Sequence, residues 1–258
     1  MTKITTAITG ICLIILFVTY QIFSEEIYVG CIYKLSGKVE IYSFKEAKWK
    51  KAYQYIPVSE RDKIRTYQSA YCDIVMQDGS AIRVNETTEI NIKSLELINK
   101  KQKYNFNIKS GRILGLLSKP TTEDSSMKVY TPTAVISVRG TDFAVNVTSE
   151  ITNVGLFEGE LSVSTRMEKE EEEVEPTPAE GEEVILTQNK EAVIEKGRRP
   201  KVEERLSKFM EKEKERCLKV KKYIEEVRRK LQERETYLQD CIKNQQERLR
   251  KLETEQQE

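Results

Sequence analysis

The chain contains no histidine. That removes the commonest general base, the commonest metal ligand and the usual partner of a nucleophilic serine or cysteine. Its five cysteines, at positions 12, 31, 72, 217 and 241, include no CxxC pair, which speaks against a zinc site. Carboxylates and lysines remain as chemical groups. The candidate acids Asp73, Asp78, Asp142 and Glu158 read as turn residues, where acidic side chains are ordinary. No catalytic residue, metal or cofactor is expected, and an enzyme is disfavoured. Charge of one sign is also lacking: 43 Lys and Arg face 42 Asp and Glu, so the whole-chain charge gives no pointer to nucleic acid.

Each cysteine reads as a small buried apolar residue. Cys31 and Cys72 share a candidate domain and could bond in an oxidising compartment. Lys3 precedes a short apolar run, Ile8 to Phe23, followed by Ser24-Glu25-Glu26. Residues 1–24 fit a signal peptide or an N-terminal membrane anchor. Both place the remainder in the periplasm or cell envelope, and export with cleavage is the preferred reading.

From residue 27 to 197 the sequence alternates and turns like an all-β domain. In "CDIVMQDGSAIRV" Ile74 and Met76 alternate, Asp78-Gly79 reads as a two-residue type I′ turn, and Ile82 and Val84 resume the pattern. Gly37, Gly111, Gly140 and Gly159 likewise precede apolar residues spaced two apart. The lone tryptophan, Trp49, stands among lysines in "KEAKWKKAY" and is read as a core lid in preference to a surface contact.

The most patterned stretch is "TPTAVISVRGTDFAVNV", residues 131–147. Thr131 and Pro132 suit a strand start, because proline cannot donate to a central ladder. Ala134, Ile136 and Val138 fall on one face; Phe143, Val145 and Val147 return to a buried one. Arg139-Gly140-Thr141 is then a corner, with Arg139 placed to brace it through carbonyls or Asp142. The case is architectural, and Arg139 with Trp49 is the first guess for a partner-binding face.

This stretch resembles the signature of FecR-type domains. The resemblance runs over roughly residues 29–197, including "GKVEIYSFKEAKWKKA", "IKSGRILGLL" and "VGLFEGELSV". It implies a periplasmic domain of twisted, layered or solenoid-like sheets that binds or signals without catalysis. Only about seven residues precede the apolar run, too few to grip a sigma factor. The chain is therefore more similar to stand-alone FecR-domain proteins of the bacterial envelope.

Residues 167–183 hold nine glutamates against one lysine, a composition expected to stay disordered. Residues 201–258 lack glycine and proline and are rich in helix formers. Val220, Ile224, Val227, Leu231, Leu238 and Cys241 follow coiled-coil spacing, so a long charged helix that self-associates is expected. The expected function is a non-catalytic envelope scaffold that recognises a protein or glycan, not nucleic acid. The alternative is a periplasmic FecR-type regulator acting with a separate transducer.

Overall fold

The computed structural model describes residues 28–98, 101–118, 126–166 and 183–255, with side chains outside 94–102 and 234–255. The expected signal peptide or anchor at 1–24 and all but the last residue of the acidic run at 167–183 lie outside these residues. The side chains of Leu238 and Cys241 do as well.

The chain folds into β1 (Tyr28–Ser36), β2 (Val39–Ser43), β3 (Lys48–Lys51), β4 (Pro57–Ser59), β5 (Lys63–Thr66), β6 (Tyr71–Met76), β7 (Ala81–Val84), β8 (Glu89–Ile98), β9 (Lys101–Leu116), β10 (Ser126–Tyr130), β11 (Ala134–Val138), β12 (Asp142–Val147), β13 (Ile151–Glu158), β14 (Glu160–Thr165), β15 (Val184–Thr187), β16 (Glu191–Glu195), β17 (Lys201–Glu203) and helix α1 (Lys208–Glu255). The strands form two layers. One, the helix-side sheet, runs β4–β1–β6–β7–β9–β12–β13–β16–β17. The other, the far sheet, runs β3–β2–β5–β8–β9–β10–β11–β14–β15. Every neighbouring pair is antiparallel except β9 with β10. Strand β9 belongs to both layers: Lys101–Ser110 pairs with β8, and Gly111–Leu116 pairs with β12.

The repeating unit is a long hairpin folded over from one sheet to the other. Strands β11 and β14 pair in the far sheet, while their continuations β12 and β13 pair in the helix-side sheet. The two bends fall side by side at Gly140 and Gly159. A Cβ on Gly159 would lie 2.7 Å from Thr141 Cγ2 and 3.2 Å from the Gly140 carbonyl, so only a bare backbone fits. Strands β1–β2 against β5–β6, β7–β8 against β9, and β13–β14 against β15–β16 repeat the plan. Each described crossing carries one residue with positive φ: Gly37, Tyr55, Arg61, Ser69, Thr87, Gly111, Gly140, Gly159 or Asn189. This is the layered architecture expected from the sequence, and the glycine corners are its layer crossings.

Alternation fills the space between the sheets. Ile32, Ile74, Ile82, Ile113, Phe143 and Val145 face Ile41, Ile64, Ile90, Phe106, Ile136 and Val163 in one buried cluster. Each such side chain stabilises the fold by about 1.5–3 kcal/mol relative to exposure. The edge strands β3, β4, β15 and β17 have only three or four residues. Pro57 and the lysines of β3 further discourage unwanted pairing.

The tail departs from expectation. Residues Lys201–Glu203 form β17 at the edge of the helix-side sheet, and the helix begins only at Lys208. Ser207 caps it: the Met210 N–H donates to Ser207 Oγ at 3.3 Å, and the Ser207 N–H donates to Glu191 at 2.8 Å. The helix then lies across the outer face of the helix-side sheet. Met210, Cys217, Val220, Ile224 and Val227 bury against Val75, Ala81, Leu114, Leu116, Ala144 and Phe157. The seam positions Val220, Ile224 and Val227 are therefore covered by the chain's own sheet and not by a second helix. Leu231 remains 42% exposed. The reason is that the sheet's outer face is itself apolar along one diagonal, a complement that helical spacing alone cannot reveal.

Candidate functional site

The signature corner is built from backbone needs. Thr131, Pro132 and Thr133 form a turn before β11, not its first residues. The Thr131 hydroxyl oxygen accepts from the Ala134 N–H at 2.9 Å, and Thr131, Thr133 and Thr152 share hydrogen bonds of 2.8 Å inside the core. Thr133 also donates to the Ile194 carbonyl at 3.2 Å. The hydroxyls thereby satisfy turn backbone that would otherwise be buried unpaired. Gly140 turns the chain at φ 61°, Thr141 and Phe143 are buried, and the Phe143 ring fills the space above Gly115. Arg139 does not brace this corner. Among the described residues it is exposed and makes no hydrogen bond or ion pair, and Asp142 is instead held by Lys221 of the helix at 2.7 Å.

The Asp78–Gly79 hairpin joins β6 to β7 as expected, but only Gly79 has positive φ. The loop is three residues long, with the Gly79 N–H donating to the Met76 carbonyl at 3.0 Å and Met76 N–H to Ser80 at 2.8 Å. Asp78 accepts from the Ser80 N–H and hydroxyl, both at 2.9 Å, which orders the turn without the second positive angle of a type I′ turn.

Polar anchors hold the helix over this sheet. Asp73 is not a turn residue but lies fully buried in β6. Its carboxylate accepts both Arg83 Nε at 2.6 Å and Arg83 Nη2 at 2.9 Å, and also the Tyr223 hydroxyl. Burial, then the charge of Asp73, pushes the Tyr223 phenol above its ordinary value. Burial works against the Arg83 charge, but the hydrogen bond to Asp73 raises its affinity for the proton overall. Lys221 binds Asp142 and Glu158 together. Burial raises the Asp142 carboxyl, with Lys221 opposing. Burial disfavours the Lys221 charge, yet the two carboxylates raise it above the usual lysine value. Arg228 donates to the Gly79 carbonyl at 2.8 Å and the Leu116 carbonyl at 2.7 Å. Arg112 reaches Glu213 of the helix at 3.3 Å and Glu86 at 2.9 Å.

Trp49 is not a core lid. It lies on the outward side of the far sheet, opposite Tyr42, with ring centroids 5.5 Å apart. Arg65 stacks over it at 4.1 Å, and Lys63 lies over Tyr42 at 5.3 Å. Beyond these, Arg61 covers Phe44 at 3.6 Å and Lys38 covers Tyr67 at 4.0 Å. Strand β5 pairs with β2 in antiparallel register, so cations and rings line up along both. Arg65 also holds Glu89 at 2.9 Å and opens onto a shallow cleft of about 690 Å³ lined by Tyr67, Glu86, Thr87 and Ser110. Arg139 is not part of this face. It follows β11, six strands from β3, roughly 30 Å at the usual strand spacing.

The sequence signal that could have found the ladder was the alternation of rings and cations in "EIYSFKEAKWKK" and "RDKIRTY". It was missed because the pairing of β2 with β5 was not visible. Cys31, Cys72 and Cys217 are free, and Cys31 pairs with Val75 while Cys72 pairs with Leu35, so the two do not face each other. Burial pushes the Cys217 thiol up to about 12. Among the described residues no cluster of three acidic or sulfur ligands could hold a metal, and no helix is long and apolar enough to cross a membrane.

Two crystal structures of a candidate anti-sigma factor from Parabacteroides distasonis are similar to the chain. They share 13% and 14% identity, with TM-scores of 0.43 and 0.42. Each match covers 55% of this chain and 59% of theirs. At that level the likeness assigns neither mechanism nor partner. No curated protein matches the chain. Residues 62–162 match the model described as FecR protein. That span runs from Asp62 beside β5 into β14 and contains the signature, the bends at Gly111, Gly140 and Gly159, and five residues that hold the helix, Asp73, Arg83, Arg112, Asp142 and Glu158: over this part the chain is similar to FecR domains.

Proposed function

We propose that the protein is a non-enzymatic regulator of FecR type in the bacterial envelope, in which the sandwich senses a ligand and the helix carries the response to a separate transducer. One observation carries this reading. Asp73, Arg83, Arg112, Asp142 and Glu158 all lie inside the FecR match, and their partners Tyr223, Glu213 and Lys221 all lie in the helix beyond it. The tail is thus coupled to the FecR domain through buried charge, which has discrete paired and unpaired states and suits signal transfer. A scaffold needs its seam for assembly, and the first half of that seam is already occupied.

The test compares transcripts in cells lacking the chain, cells restored with it, and cells restored with Ile224→Asp, which forces a carboxylate into the helix–sheet interface. The regulator reading expects a defined transcript set that the native chain restores and the variant does not. An unchanged transcript profile accompanied by loss of envelope integrity overturns it in favour of the scaffold.

A further inference from the structure

The two faces of the sandwich differ. The helix covers the outer face of one sheet, whereas the far sheet carries the cation–aromatic ladder outward. Among the described residues seven cations sit over aromatic rings, and four of them fall between residues 38 and 67. The stretch 38–65 holds eight Lys and Arg against four Asp and Glu, in a chain whose overall charge is +1. The ladder runs from Lys38 with Tyr67, through Arg65 with Trp49 and Lys63 with Tyr42, to Arg61 with Phe44. Along β2 that spans about 20 Å.

We propose that this face docks an anionic oligosaccharide, a chain of sugar rings bearing intermittent carboxylates. The proposal rests on the regulator reading and names what the sandwich senses. The cations lie over one face of each ring and are fixed there to meet the carboxylates, while sugar C–H groups meet the ring surface the cations leave open, above all at Phe44, which is 44% exposed. The acids placed among the cations decide between polymers. Glu40, Glu86 and Glu89 stand beside Arg65, Lys38 and Tyr67 and in the cleft. They accept hydrogen bonds from sugar hydroxyls but repel a ligand charged at every unit, such as polyphosphate or an acidic peptide. Thr87 and Ser110 add neutral partners in a cleft of a size usual for small-ligand sites.

Trp49 is the only tryptophan, so tryptophan emission, excited beyond the absorption of the 12 tyrosines, reports on this face alone. The full chain is titrated with hyaluronate hexasaccharide, with neutral maltohexaose and with polyglutamate. Saturable change with hyaluronate, none with maltohexaose and roughly tenfold weaker response to polyglutamate support the proposal. Lys63→Gln and Arg65→Gln should each weaken hyaluronate binding roughly tenfold, and Arg139→Gln should leave it unchanged. Lys63→Gln guards against a folding defect from losing the Arg65–Glu89 pair. Absence of saturation, an equal response to maltohexaose, or tighter binding of polyglutamate overturns it. Binding that fails while the transcript response persists would reject this ligand and keep the regulator; the reverse result would reject the regulator and keep the ligand.

Discussion

Tyr223 and Asp73 are 150 residues apart in the chain and joined by a hydrogen bond beneath the helix. Arg83 completes the group with a two-point contact to the same carboxylate. Replacing Asp73 by alanine leaves the Arg83 charge unpaired in a site where its side chain is only 16% exposed. The expected loss is about 3–5 kcal/mol. Tyr223→Phe deletes two hydrogen bonds, one donated to Asp73 and one accepted from Arg83, but leaves the ion pair intact and should cost about 1–2 kcal/mol. Urea unfolding of the three proteins checks the order.

Helix docking can be read separately from unfolding. Cys217 is 2% exposed beneath the helix, and burial holds its thiol protonated. Native protein should resist alkylation there. Ile224→Asp should expose Cys217 to the reagent while Cys72, inside the sandwich, stays protected. Peptide mapping after brief alkylation distinguishes the two; equal labelling of both would mean that the sandwich had opened too.

Docking should weaken in alkali and not in mild acid. Lys221 has a folded value raised above 10.5, so its contribution is complete below that pH and is lost as pH climbs through the folded value. Tyr223 is raised above 10.0, and its neutral form is likewise the one the interface favours. Both signs agree. Thermal midpoints should be flat from about pH 6 to 9 and fall above about pH 10, with a smaller fall in Tyr223→Phe. Asp142 acts at the other end of the scale. Its raised value means that stability decreases as pH rises through the ordinary aspartate value of 3.8 towards the folded one.

Two bends give opposite expectations. A Cβ on Gly111 would fall 2.3 Å from Thr88 Oγ1 at φ 107°, so Gly111→Ala should destabilise by several kcal/mol, on the order of 3. Thr87 is exposed, β-branched and held at φ 53°. Asparagine tolerates that angle better, and Thr87→Asn should stabilise by about 0.5–1 kcal/mol. Denaturant midpoints measured at constant slope test both.

The sandwich was legible wherever one residue reported on its own geometry. Gly37, Gly111, Gly140 and Gly159 marked layer crossings because a bare backbone is needed there. Tyr55, Arg61, Ser69 and Thr87 occupy equivalent bends but are ordinary residues forced into an unfavourable angle by the strands on either side. No local pattern announces them. The helix was legible as a helix, but its burial depended on Val75, Leu114, Ala144 and Phe157, contributed by four different strands. The same limit hid the ladder, whose rings and cations come from strands that meet only after folding.

Because the unit is a hairpin folded over two sheets, no strand among the described residues closes one end of the stack onto the other. Both ends finish on short, charged or proline-bearing strips, and nothing geometric prevents another doubled hairpin from stacking there. Domain size in such a design is set by where a terminator is placed, much as a zip's length is set by its stops.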